Sequence, residues 1–168
     1  MASTVKGIEP ALNPILADIE KKSGPNHFFR VMAHRPEAIQ PFIGLYKAVM
    51  GPGTLERRIK EMTYLAVSYV NECAYCSADH EKGARAAGLT DNEIHEIRTE
   101  NNQPFTPQEQ AALHYARELT RTVDVEPDTH RALHDLFSPE QVVELTLVVC
   151  LANFTNRFNN GLSVPLEA

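Results

Sequence analysis

One short device recurs three times in this 168-residue chain: Thr90-Asp91-Asn92-Glu93, Thr106-Pro107-Gln108-Glu109 and Ser138-Pro139-Glu140-Gln141. In each, a hydroxyl residue is followed three positions later by Glu or Gln, so the two side chains satisfy backbone N–H groups that an opening helix leaves without partners. Prolines mark further starts, because their fixed φ suits a first helical turn and their missing N–H is not needed there. Asn13-Pro14 opens a segment that ends near Gly24, and Pro36 opens one that runs through Phe42, Tyr46 and Val49 to the Gly51-Pro52-Gly53 break, with Pro41 placed to bend it. Thr54 is placed to cap a segment reaching about Val70, in which Leu55, Ile59, Met62, Leu65, Ala66 and Tyr69 recur every three or four residues. Residues 73–87 are rich in Ala, Glu, Lys and Arg, with Gly88 as the stop. No stretch alternates as a strand would, and neither a Gly-rich phosphate loop nor an internal repeat is present. The chain reads as an all-α, single-domain bundle of about seven or eight helices. Its helical core spans residues 54–168, and residues 1–53 form an N-terminal helical segment of the same domain.

The last helix, from Ser138 to about Asn160 with Gly161 as its stop, is apolar on more than one face: Val142, Val143, Leu145, Leu147, Val148, Val149, Cys150, Leu151, Phe154 and Phe158. Such a helix is either central in the bundle or covered in part by another subunit. The central position is the expectation, with Cys150 a small apolar core residue. Sixteen basic against twenty-two acidic residues leave a net charge of −6, which removes the electrostatic drive toward nucleic acid or an anionic membrane. No apolar run approaches the roughly 20 residues that cross a bilayer. Met1 to Lys6 lacks a basic stretch followed by an apolar signal core, so a cytoplasmic location is expected.

The three cysteines are too few for a secreted disulfide scaffold. Two of them, Cys73 and Cys76, lie three apart, and His80 follows Cys76 by four. On a helix these spacings stack both sulfurs and the imidazole along one face. Sulfurs one turn apart at a helix start can close a disulfide, and the aligned N–H groups there favour a thiolate. If the segments on either side of Asn71 are antiparallel helices, Glu61 and His80 lie about equally far from the turn and meet. A carboxylate bonded to one imidazole nitrogen raises the basicity of the other, which then takes a thiol proton. Spacing alone leaves the nucleophile open: Cys73 is nearer the helix start, Cys76 one turn from His80.

The pattern Glu61, eleven residues, Cys73-Ala74-Tyr75-Cys76, three residues, His80 resembles the alkyl hydroperoxide reductase D (AhpD-like) branch of the carboxymuconolactone decarboxylase superfamily. The resemblance covers about Thr54 to Ile97 closely and the remainder, including Asn156-Arg157-Phe158-Asn159-Asn160-Gly161, more loosely. It implies a helical homotrimer or hexamer that reduces hydrogen peroxide or organic hydroperoxides without metal, haem or other cofactor. It further implies Cys76 as the peroxidatic cysteine, Cys73 as the resolving one, His80 with Glu61 as the proton relay, and a dithiol reductant or adaptor protein as partner. The best-known members carry a histidine where this chain has Tyr75. A phenol with a pKa near 10 does not take up a proton at neutral pH, so Tyr75 donates or relays through a water.

Other readings of the same residues stand beside this one. Cys73, Cys76, His80 and Glu61 are all zinc-ligand types, although no second cysteine pair is present and the spacing fits no common finger. The plainer reading of the two cysteines, as inert buried core residues, carries less weight than redox chemistry. A lactone decarboxylase needs no cysteine pair, and a thiol-disulfide exchange or assembly module would use the scaffold without turning over peroxide. His130 and His134, four apart with no Glu in a metalloprotease pattern, read as a solvated helix face. Asn153, Asn156 and Arg157 line a pocket, a subunit contact or the wet end of the last helix.

Overall fold

The computed structural model describes residues 3–167. A single 3-10 turn, Pro10–Leu12, is followed by α1 (Pro14–Ser23), α2 (His27–Met32), α3 (Pro36–Met50), α4 (Arg57–Val70), α5 (Ala74–Ala86), α6 (Asp91–Arg98), α7 (Pro107–Thr122), α8 (Pro127–Leu136) and α9 (Pro139–Leu162). The fold is all-α, with no strand among the described residues. The three capping boxes form as the sequence indicates, at the starts of α6, α7 and α9, and α1, α3, α7, α8 and α9 open on proline. The helix count exceeds the expected seven or eight because α2 is a six-residue helix too short to show a period. No helix among the described residues is long and apolar enough to cross a membrane.

The central helix is α4, not α9. Every residue from Ile59 to Ser68 is buried, with α4 packed against α5, α6, α7 and α9. Ile59, Met62, Tyr64, Leu65 and Val67 are nearly or fully inaccessible, and burying an aliphatic side chain of this size contributes about 1.5–3 kcal/mol. Four polar residues, Lys60, Glu61, Thr63 and Ser68, are buried with them, which an apolar stripe drawn from Leu, Ile and Met alone does not reveal. The long α9 is buried on one side, through Leu145, Val148, Val149, Leu151 and Ala152. Its other side exposes Val143, Leu147 and Phe154, and Cys150 is exposed beside them rather than in the core.

Two local expectations are corrected. Thr54 does not cap α4: the N-cap is Glu56, without a side-chain bond. The Thr54 N–H and hydroxyl and the Leu55 N–H donate instead to Glu144 of α9, at 2.7, 2.6 and 3.0 Å. Gly161 does not stop α9, which runs to Leu162 and ends at left-handed Ser163. Gly88 does serve as a stop: it adopts φ 90°, a region that costs an L residue strain.

The buried side chains form two clusters. The larger surrounds α4; the smaller comprises Leu16, Phe28, Met32, Ala33 and Ile39 of α1 to α3. Phe42 and Tyr75 pack against both, so the seam between the N-terminal helices and the core runs past the Cys-x-x-Cys segment.

Candidate active site

The turn between α4 and α5 sets the geometry. Glu72 takes a left-handed conformation (φ 50°), and the Cys73 N–H reaches back to Ser68 O at 2.9 Å, which closes α4 in the manner of a Schellman turn. Cys73 becomes the N-cap of α5, its sulfur accepting from the Cys76 N–H at 3.4 Å. Asparagines of α9 hold the turn from outside: Asn71 donates to Asn153 and Asn156, both at 3.0 Å, Asn156 donates to the Ser68 hydroxyl at 3.2 Å, and Asn160 donates to Asn71 O at 2.7 Å.

The two sulfurs are 2.8 Å apart and unbonded, with the Cys73 thiol donating to Cys76. Asn159 of α9 donates to Cys76 Sγ at 3.2 Å. The Cys73 hydrogen bond, helped by that of Asn159 and by the nearby polar groups of Asn156 and Thr155, outweighs burial and pulls the Cys76 thiol down to about 6. The same bond, with burial, pushes Cys73 far above the ordinary thiol range. These opposite shifts favour Cys76 as the thiolate and Cys73 as the thiol of the pair.

Glu61 and His80 meet as the antiparallel hairpin requires. Both are buried, and His80 Nδ1 lies 2.8 Å from Glu61 Oε2. The imidazole is stacked on Tyr64, ring centroids 3.4 Å apart, and the Tyr64 hydroxyl bonds to Thr155 at 2.5 Å. Arg57 lies 3.6 Å from the other Glu61 oxygen. Gly83, one turn beyond His80, makes room for this carboxylate: a Cβ there would stand 2.6 Å from Glu61 Oε2. Among the described residues no hydrogen bond joins His80 to either sulfur; both His80 and Cys76 open onto one cavity of about 580 Å³ at the seam between the clusters.

Six aromatic rings line that cavity, those of Phe28, Phe29, Phe42, Tyr46, Tyr64 and Tyr75. Cys76 lines it and Cys73 does not. The Tyr75 hydroxyl points away from the sulfurs: it donates to Glu167 and accepts from the Phe28 N–H at 3.4 Å. Burial and the Glu167 carboxylate keep this phenol protonated far above its usual range. Among the described residues no cluster of His, Cys, Asp and Glu is arranged to hold a metal ion.

The family model described as the carboxymuconolactone decarboxylase family matches residues 36–118, a span that carries Glu61, Cys73, Cys76 and His80 together. The chain belongs to that family. Its AhpD-like character is seen in a solved structure from Agrobacterium tumefaciens, a protein of unknown function described as a putative antioxidant defence protein AhpD. That chain is 27% identical, with a TM-score of 0.75, covering 82% of this chain and 95% of that one. The debrominase Bmp8, solved with 2,3,4-tribromopyrrole, shares the fold at TM-score 0.83 and 20% identity, over 100% of this chain and 94% of its own. A Paracoccus denitrificans relative, uncharacterized protein 4 in the cox locus, is 40% identical over 55 residues, which span 33% of this chain and half of that protein.

The sequence pattern singles out the α4–α5 residues that the structure brings together and, in α9, Asn153, Asn156 and Arg157, but not Asn159. Asn156 and Asn159 are almost inaccessible, whereas Arg157 is exposed and bonds to Asn153. The available signal was chemical: an amide inside an otherwise apolar helix segment requires a buried partner. Gly83, inside an Ala-rich helix, was a second such signal.

Proposed function

We propose that this protein is a thiol peroxidase that reduces hydrogen peroxide or organic hydroperoxides with Cys76 as nucleophile. The observation that carries this reading is the Cys76 sulfur on the wall of an aromatic cavity, hydrogen-bonded by Cys73 and Asn159, with the Glu61–His80 pair on the same cavity. The Cys76 thiol yields its proton to His80 Nε2 across the cavity, through a water or the substrate, while Glu61 stabilises the imidazolium. The thiolate attacks the hydroperoxide oxygen that bears hydrogen. An Sγ–O bond forms, the O–O bond breaks, and the alkoxide takes the proton from His80 and leaves as ROH. Cys73 then attacks the sulfenic sulfur; the disulfide forms and hydroxide leaves with the Cys73 proton as water. An external dithiol or adaptor protein reduces the disulfide. Tyr75 contributes to the wall of this site, its proton held between ring and Glu167.

The test is the intact mass and free-thiol count of reduced protein before and after one equivalent of cumene hydroperoxide, with peptide mapping. Loss of two thiols with a Cys73–Cys76 bridge is expected. Three free thiols after exposure would refute the peroxidase reading, and activity surviving in a double Cys→Ser variant would turn attention to lactone decarboxylation.

The aromatic wall favours a second reading, reductive removal of halide from a flat aromatic compound, in line with the fold shared with the debrominase. There the dithiol supplies two electrons: R–X and two thiols give R–H, HX and the disulfide. Release of bromide from a bromopyrrole, with no consumption of hydroperoxide, would favour it. We also propose a homo-oligomer, supported by the apolar side of α9 that this subunit leaves uncovered.

A further inference from the structure

Asn159 is 3% exposed. Its amide nitrogen donates to Cys76 Sγ at 3.2 Å, yet its carbonyl oxygen Oδ1 is buried and has no hydrogen-bond partner among the described residues. An unpaired buried amide oxygen costs free energy that a leucine of similar volume would not. The neighbouring polar groups are committed: the Tyr64 hydroxyl to Thr155, Thr155 also to carbonyls of α9, and His80 Nδ1 to Glu61. Asn159 lines the same cavity as Cys76 and His80, and its Oδ1 is an uncommitted acceptor on the same planar amide as the nitrogen that donates to the sulfur.

We propose that Asn159 is a catalytic residue of two functions, its Nδ2 holding the Cys76 thiolate and its Oδ1 accepting the hydrogen bond of the O–H group that the thiolate attacks. The inference rests on the peroxidase reading and specifies how the substrate is gripped. The two ends of one planar amide sit side by side, so the group that fixes the sulfur also places the oxygen next to it. During attack the hydrogen stays on the distal oxygen, which moves from the peroxide to sulfur while its bond to Oδ1 persists into the sulfenic acid. The proton that completes ROH comes from His80, so the Asn159 amide neither gains nor loses one. A hydroperoxide, which has a donor O–H on the attacked oxygen, is held; a dialkyl peroxide, which lacks it, is not.

Two reagents separate the functions. At pH 9, well above the lowered Cys76 value of about 6, iodoacetamide alkylation reports the thiolate alone, whereas single-turnover oxidation by cumene hydroperoxide also needs the O–H acceptor. Both are read at Cys76 by peptide mass in wild type, Asn159→Leu and Asn159→Ser, with circular dichroism and thermal melting as fold checks. The expected result for Asn159→Leu is an alkylation rate within about threefold of wild type and an oxidation rate lower by roughly tenfold or more, with Asn159→Ser between them. Equal slowing of the two reactions, or no slowing of either, overturns the proposal. Should Asn159→Leu fail to fold, the serine variant carries the same comparison. Wild type that is alkylated but not oxidised sinks the peroxidase reading and this proposal with it, an outcome distinct from equal slowing in the variants.

Discussion

Gly83 lies in the interior of α5, where alanine would be favoured by about 1 kcal/mol of backbone propensity. The Glu61 carboxylate occupies the space a Cβ would take, 2.6 Å from Oε2, so the preference of the helix and the requirement of the site conflict. Gly83→Ala is expected to displace Glu61 and leave His80 without its partner. Stopped-flow oxidation of Cys76 should slow by roughly tenfold or more, while the melting temperature shifts by only a few degrees. A variant with wild-type oxidation kinetics would show that the carboxylate is not needed where it stands. Glu61, Cys73, Cys76 and His80 were legible in the sequence because helical periods of three and four bring such residues onto one face. Asn159 was not, since its relation to Cys76 spans 83 residues and depends on how α9 lies against the hairpin.

At the scale of elements, the capping boxes do more than start helices. Glu93 and Glu109, the N3 carboxylates of α6 and α7, also bind Arg58 of α4, so one guanidinium ties two helix starts to the central helix. The capping motif was readable from local chemistry; its third partner was not. The outer side of α9 presents Val143, Leu147, Cys150 and Phe154 at alternating intervals of four, three and four, the spacing of a helix seam. A charge in that seam would have to be desolvated on association. Leu147→Glu is therefore expected to lower the mass measured by light scattering to that of a smaller assembly, with helix content unchanged. Wild type that is already monomeric at micromolar concentration would remove the basis for this assignment.

Across the molecule, Lys60 joins helices that are distant in sequence. It is 1% exposed, donates to Val49 O at 2.9 Å and Gly51 O at 2.6 Å at the end of α3, and pairs with Glu144 of α9. Burial disfavours the charged Glu144, but Lys60, Thr54 and the backbone N–H groups of Leu55 and Thr54 together hold its carboxyl down at about 2. A lowered folded-state value means that this group's stabilisation is fully present above the ordinary carboxylate value of 4.5 and is lost as pH falls toward about 2. Glu144→Ala would leave a buried ammonium unpaired, with an expected loss of about 3–5 kcal/mol in urea unfolding at pH 7. The wild-type and variant curves should converge as the pH is lowered through that window; a constant difference between pH 5 and pH 2.5 would assign the loss to packing instead.

The all-α class, most helix starts and the Glu61, Cys73, Cys76 and His80 set follow from the chain alone, because caps, prolines and helical periods act over a few residues. Tertiary structure decided what depends on neighbours remote in sequence: that α4 rather than α9 is central, that Cys150 faces outward, that Cys76 and not Cys73 lines the cavity, and that an α9 amide meets its sulfur. Burial and thiol acidity are properties of what surrounds a residue, and those surroundings exist only once the helices have packed.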